Sequence, residues 1–386
     1  MVLTWDQDPQ ELYPALSIGP VVQQLVAEHL TIHTDEPRSE EHAFPQANIH
    51  ALAEAGLLGM KTPTRYGGLG LDTLNVTYAV EQIARIAPAT AFILLLHTLT
   101  ANRINMAGTD AQKQRYLPLI SRQTLGASAW SEAGVGADKS VLNTKAYLED
   151  GVWHLSGQKA FCTGAGHAGV YMVMTDTTDG KGFFLVPADN PGLRIGEPMD
   201  SMGLQGTHSG VVGLDNALVP DSERVGEPGH IGPIIAHDMQ AGLHSGIVAT
   251  GIALGAFGRL VDIVRANNSF DKYESVRVRV SQLAATLSVM RTHVYALAAM
   301  ASLPDGPPVE AATMTAKLFL SEHALQMTTD AIAIAGKAGY LRENGLERLH
   351  RDALGIVIAA PINGQILGSI GESLRKADKL NYLYKV

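Results

Sequence analysis

Two glycine-rich turns bracket the stretch that decides the fold. The first reads Gly126-Ala-Ser-Ala-Trp130-Ser131-Glu132-Ala-Gly-Val-Gly136-Ala137-Asp138, and the second Gly157-Gln-Lys-Ala-Phe161-Cys162-Thr163-Gly164-Ala165-Gly166. Short runs around them, such as Val152-Trp-His-Leu-Ser and Val170-Tyr-Met-Val-Met, alternate apolar and polar residues. Asp-Gly and Asn-Pro-Gly turns separate the runs, which is the pattern of antiparallel strands. This character holds over residues 120–228. On either side the period changes to that of helices. Residues 1–119 are read as an N-terminal helical domain, with Ile49–Gly59 ending in a glycine stop and a long apolar helix from Val76 to Asn105. Residues 229–386 are read as a C-terminal bundle with helices over 234–266, 274–302, 308–336 and 362–380, broken at Leu303-Pro-Asp-Gly-Pro-Pro. The fold class is α+β in the order helical, β, helical.

Composition narrows the function. The chain has 386 residues, 46% of them apolar, and a formal net charge of −9. Nucleic-acid binding calls for clustered Lys and Arg, so no nucleic-acid partner is expected. A single cysteine, Cys162, allows neither an intrachain disulfide nor a cysteine metal cage and suits a reducing cytoplasm. The N-terminus lacks a signal-peptide pattern. Met239–Gly258 is uncharged and nearly long enough to span a bilayer, but its Gln240, His244, Ser245 and glycines mark a buried bundle helix, so no membrane association is expected. His230, His237 and His244 recur every seven residues without a carboxylate partner and are not read as a metal site.

The Ser131-Glu132 turn, the Phe161-Cys162-Thr163-Gly164 strand end, and Gly203-Leu-Gln-Gly-Thr-His-Ser-Gly followed by Val219-Pro220 resemble the acyl-CoA dehydrogenase superfamily over nearly the whole chain. That resemblance implies an N-terminal helical domain, a central β-domain holding a flavin ring and a C-terminal four-helix bundle. It implies FAD or FMN as cofactor, with cofactor-binding positions at Trp130, Ser131, Gly136, Phe161, Cys162, Thr163 and Lys337. Ser131 would meet the pyrimidine edge, Thr163 would sit beside N5, and Phe161 would form the apolar wall where the family usually has Trp. His97, on an apolar helix, falls where the superfamily often has a polar group near the flavin. His208, beside the Thr-x-Ser-Gly turn, is a weaker candidate for approaching substrate.

The departures from the family carry as much weight. α-Proton removal beside a flavin needs a positioned base. The resemblance puts the usual glutamate at Ala360, after Arg351-Asp352, and the alternative one at Ser245, with His244 adjacent. Ala137 stands where a serine usually approaches the thioester. Asn267-Asn-Ser-Phe-Asp and Ala333-Ile-Ala-Gly336-Lys337 replace the family's adenosine-binding motifs, leaving Lys337 as a point charge for a phosphate. Thr207-x-Ser209-Gly210 and Phe161-Cys162-Thr163-Gly164-Ala165 are closer to the superfamily's monooxygenase branch, which resembles dibenzothiophene monooxygenase. The leading expectation is therefore a two-component monooxygenase using loosely bound reduced flavin from a reductase partner, with His97, Ser131, Thr163 and His244 as catalytic candidates. The alternatives are an acyl-CoA or carrier-protein acyl dehydrogenase with a displaced base, and a silent subunit of a heteromeric dehydrogenase. A small-molecule substrate and a homotetramer or homodimer complete the expectations.

Overall fold

A computed structural model describes residues 3–30, 42–134, 142–229 and 231–376. Gly136, Ala137, Asp138 and His230 lie outside them. The N-terminal part holds helices α1 (Pro9–Leu12), α2 (Gly19–Glu28), α3 (Gln46–Glu54), α4 (Thr73–Ala84), α5 (Pro88–Ala107) and α6 (Asp110–Arg122). The helix expected over 76–105 is two. Its apolar spacing is continuous, but Ala87 leaves the helical region ahead of Pro88, which starts α5 at a position where its missing N–H costs nothing. α4 is capped by the Asp72 carboxylate and α6 by a reciprocal Thr109–Gln112 box.

Eight strands follow: β1 (Leu125–Ala129), β2 (Lys145–Glu149), β3 (Val152–Cys162), β4 (Ala168–Thr177), β5 (Gly180–Pro187), β6 (Leu193–Pro198), β7 (Gly210–Pro220) and β8 (Arg224–Val225). They form one sheet in the order β6-β7-β3-β2-β4-β5-β8, with β1 added beside β4. Most pairs are antiparallel, as the turns predict, but β1 runs parallel to β4, and β2 touches β4 in parallel at Lys145 and Asp176. A long connection, not a hairpin, joins β1 to its neighbour, so the local turn signals could not register this pairing. The β3–β7 ladder shifts register between Lys159 and Cys162. That bulge re-aims the segment around Phe161.

The C-terminal part contains α7 (Gly232–Gln240), α8 (Gly246–Ala266), α9 (Ser269–Lys272), α10 (Glu274–Ala301), α11 (Glu310–Ala335), α12 (Lys337–Tyr340), α13 (Leu346–Ile358) and α14 (Asn363–Lys376). The single helix expected over 234–266 is broken into α7 and α8 around Gly242, whose φ is 69°. α8, α10, α11 and α13 pack as the bundle. Its fourth member is thus α13, which the periodicity reading passed over. α8 is long and apolar enough to cross a membrane by composition, yet most of it is buried within the protein. It crosses α4 closely: a Cβ added at Gly251 would lie 2.4 Å from the Glu81 carbonyl oxygen, and one at Gly255 2.3 Å from that of Arg85. The glycines of α8 therefore serve packing. At the same crossing Arg291 of α10 donates to the buried Glu81 carboxylate at 2.9 Å, and Tyr295 donates to its other oxygen at 2.6 Å.

Candidate active site

The strand-end segment 160–164 presents its side chains alternately. Phe161 has φ 55° and is 65% exposed, a costly combination for an aromatic residue. Such strain collects where a site needs a particular side chain at a particular angle. Cys162 turns the other way. Its thiol is buried against the Ser128 carbonyl at 3.5 Å, and burial pushes its pKa up to about 12. The side chain of Cys162, a position the resemblance assigns to cofactor binding, thus lies in the core.

Thr163 returns to the Phe161 side and starts a chain of hydroxyls. Its Oγ1 lies 3.2 Å from Ser209 Oγ, which lies 2.9 Å from Thr207 Oγ1. Thr207 donates to the Leu204 carbonyl at 2.7 Å. That last bond fixes the direction of the chain, so Ser209 donates to Thr207 and Thr163 donates to Ser209. Thr163 Oγ1 keeps a free lone pair. Thr163, Phe161 and Ser128 share a recess with Ile93, Leu96 and His97 of α5.

Glu132 holds the first turn against this segment. Its carboxylate is buried and accepts from Lys159 Nζ at 2.6 Å, Asn143 N at 2.6 Å and Thr144 N at 3.1 Å. Burial alone would raise its pKa, but these donors, Lys159 foremost, outweigh it and hold the carboxyl at about 2. The neighbouring Ser131 carbonyl accepts from Ala160 N at 2.8 Å, so the two motifs that lie apart in sequence are tied together. Sequence reading quoted the Gly-x-Lys motif but missed its role. Glu132 and Lys159, 27 positions apart, form one buried ion pair.

Two expected site residues sit differently. The Trp130 ring lies under the Arg103 guanidinium at 4.2 Å and packs on Phe183 at 4.8 Å. Arg103 in turn pairs with the buried Asp238 and donates to Ser128 Oγ at 2.6 Å. The indole therefore anchors β1 to α5 and is not part of the recess wall. His97 lines the recess but has both nitrogens committed: Nδ1 accepts from Gly126 N and Nε2 donates to the Leu58 carbonyl, each at 2.9 Å. Burial drives its pKa down to about 4. It is a neutral histidine, fully hydrogen-bonded within the protein, on the border of the recess.

At the bundle end the picture is the opposite. His244 and Ser245 lead into α8 and are buried, yet neither ring nitrogen of His244, nor the Ser245 hydroxyl, has a hydrogen-bond partner among the described residues. Buried polar atoms without partners are uncommon and call for an explanation. Burial, with His293 and Lys317 nearby, lowers the His244 pKa to about 3, so its imidazole is neutral. Lys317 of α11 is also buried, and its pKa falls to about 8. Its ammonium donates to the Val357 carbonyl at 3.2 Å and to Asn363 Oδ1 at 2.6 Å. Those two residues flank the turn carrying Ala360 and the cis Ala360–Pro361 bond. The two positions that the resemblance assigns to a glutamate thus adjoin one basic cluster of His244, His293 and Lys317, in which the buried His244 ring has no hydrogen-bond partner among the described residues. Its residues lie just ahead of α8, on α10 and α11 and around the 357–363 turn, which no local pattern could join.

Lys337 is exposed at the start of α12, beyond the end of α11. His208, a candidate from the sequence, sits in a group whose other members the sequence did not mark: His167 Nε2 meets His208 Nδ1 at 2.8 Å, His208 Nε2 donates to the His42 carbonyl at 2.6 Å, and the Phe44 ring stacks on His167 at 3.6 Å. His208 is thereby occupied in fastening the 42–44 segment. Among the described residues no group of three or more His, Cys, Asp or Glu is placed to hold a metal ion.

Comparison with known proteins matches this architecture in three parts. Residues 17–124 match the N-terminal domain of acyl-CoA dehydrogenase, 127–217 the middle domain and 240–363 the C-terminal domain. A short-chain specific acyl-CoA dehydrogenase of Clostridium acetobutylicum is 31% identical over 81% of this chain and 86% of its own. An acyl-CoA dehydrogenase of Bacillus subtilis is 32% identical over 80% of this chain and 84% of its own. Among solved structures, butyryl-CoA dehydrogenase from Megasphaera elsdenii superposes with a TM-score of 0.83 at 25% identity, covering 96% of this chain and 99% of that one. The chain belongs to the acyl-CoA dehydrogenase family, whose members are flavin-dependent oxidoreductases with FAD as cofactor.

Proposed function

We propose that the protein is an FAD-dependent oxidoreductase of acyl thioesters in which His244 replaces the usual carboxylate as the proton acceptor. One observation carries this reading. His244 is a buried, neutral imidazole with both nitrogens free of partners, beside the lysine that grips the turn of Ala360. The names of the relatives favour the dehydrogenase alternative over the monooxygenase expectation.

The chain's own groups fit a flavin. Phe161 offers a flat apolar face and Thr163 Oγ1 an oriented hydrogen-bonding atom, while Ser131 is held alongside through its backbone. Bound FAD would supply the two-electron acceptor. His244 would take the substrate proton, for which a base must be unprotonated at rest. Negative charge developing on the substrate would then favour imidazolium. Lys337 and the exposed Tyr340 and Leu341 suit contact with a second copy's cofactor in a homo-oligomer.

Anaerobic mixing of the FAD-loaded protein with acyl-CoAs tests this. Bleaching of the flavin band is expected for wild type, and H244A should lose it by at least about a hundredfold in rate while keeping the bound-flavin spectrum. No bleaching by any thioester, combined with a long-lived oxygenated flavin signal after mixing the reduced protein with oxygen, would return the monooxygenase reading to first place.

A further inference from the structure

The start of α8 has three features that the proton-acceptor role does not use. Ser245 occupies the N-cap position, where a serine ordinarily accepts from the first turn, but its hydroxyl makes no capping bond and is unpartnered and buried. The first turn of this 21-residue helix carries no acidic residue. The groups that bear on His244 from the packed elements are His293 of α10 and Lys317 of α11, both basic. Lys317 uses two of its three N–H donors on Val357 and Asn363. Glu322 is the one carboxylate felt by Lys317, and its Oε1 already accepts from Asn363 Nδ2 at 3.3 Å.

A long helix's N-terminus attracts negative charge. Here it is combined with a free hydroxyl, a spare ammonium donor and a neutral imidazole, where the resemblance would put a protein carboxylate. We infer that the N-terminus of α8, with Ser245 and Lys317, is a subsite for a carboxylate carried by the substrate, and that the substrate is a short acyl thioester ending in a carboxylate. This rests on the acyl-thioester reading and deepens it. The carboxylate would accept from Ser245 Oγ and from the third Nζ–H of Lys317. It would also place a negative charge beside His244, and an opposite charge at that range strengthens an imidazole as a base. A substrate ending in a methyl group would leave the buried polar atoms unpaired.

The test compares acyl-CoAs of equal length on the FAD-loaded protein, glutaryl-CoA against valeryl-CoA and succinyl-CoA against butyryl-CoA. Affinity is read from the flavin spectrum and rate from anaerobic bleaching. The carboxylate-ended thioesters are expected to bind at least tenfold tighter. S245A and K317M should each bring that preference to within about twofold while valeryl-CoA binding stays unchanged. Equal or tighter binding of the methyl-ended thioesters overturns the subsite, as does an equal loss for both substrates in S245A. A second measurement is independent of thioesters: acetate, against chloride at constant ionic strength, should raise the melting temperature of wild type but not of S245A or K317M. If acetate stabilises only wild type while no thioester binds, the subsite stands and the thioester reading falls. If acetate acts equally on all three, the subsite falls.

Discussion

Replacing Glu132 with Gln should destabilise the β-domain by about 3 kcal/mol at pH 7. The carboxyl titrates at about 2 in the folded protein against 4.5 ordinarily. At about 1.4 kcal/mol for each tenfold change in proton affinity, that gap is worth about 3 kcal/mol. Because the folded value is the lower one, this stabilisation is complete above pH 4.5 and is lost as pH falls towards 2. An independent estimate agrees. Removing one partner of a buried pair leaves the other charge uncompensated and costs about 3–5 kcal/mol, and here that charge is the fully buried Lys159. The glutamine also cannot accept from Lys159, Asn143 and Thr144 together, since one of its two terminal atoms is a donor. Urea unfolding followed by tryptophan fluorescence should therefore show the loss at pH 7, and the melting temperature should fall by roughly 6–12 °C. The amide of Thr144 should exchange faster with solvent. The double variant E132Q/K159M removes both charges and should recover at least half of the loss. A single variant within about 1 kcal/mol of wild type at pH 7, or a double variant as unstable as the single, would refute the buried-pair argument.

The other consequences concern the flavin side and the lysine of the bundle. Phe161→Gly should relieve the backbone, raising stability by about 1 kcal/mol, while weakening FAD binding at least tenfold in a fluorescence titration. Thr163→Val should remove the hydroxyl that the proposed function sets against the flavin. A lost bond of about 1 kcal/mol that favours reduced flavin would move the two-electron midpoint roughly 20 mV more negative. Lys317 titrates at about 8 against 10.5 ordinarily. The unfolded chain thus binds the extra proton between those values, and wild-type stability, measured against K317M, should rise by about 3 kcal/mol from pH 8 to pH 10.5. A flat difference over that range would show that the ammonium is not buried at cost.

The order of helical, β and helical segments was written in the local pattern, because period and turn residues are properties of neighbouring positions. So were Phe161 and Thr163, whose place at a strand end before Gly164 follows from a contiguous motif. The missing carboxylates at Ala360 and Ser245 were legible too. Tertiary structure alone decided the rest. Trp130 and Cys162 belong to the same two motifs, yet their side chains meet Arg103 and the Ser128 carbonyl. His97 and His244 are equally apolar in context. Backbone partners from two distant segments satisfy the hydrogen bonds of the first, whereas nothing among the described residues satisfies the second. Hydrogen bonding of a buried group depends on what other elements bring to it, and contacts over 29, 39 or 46 positions leave no local trace in the chain.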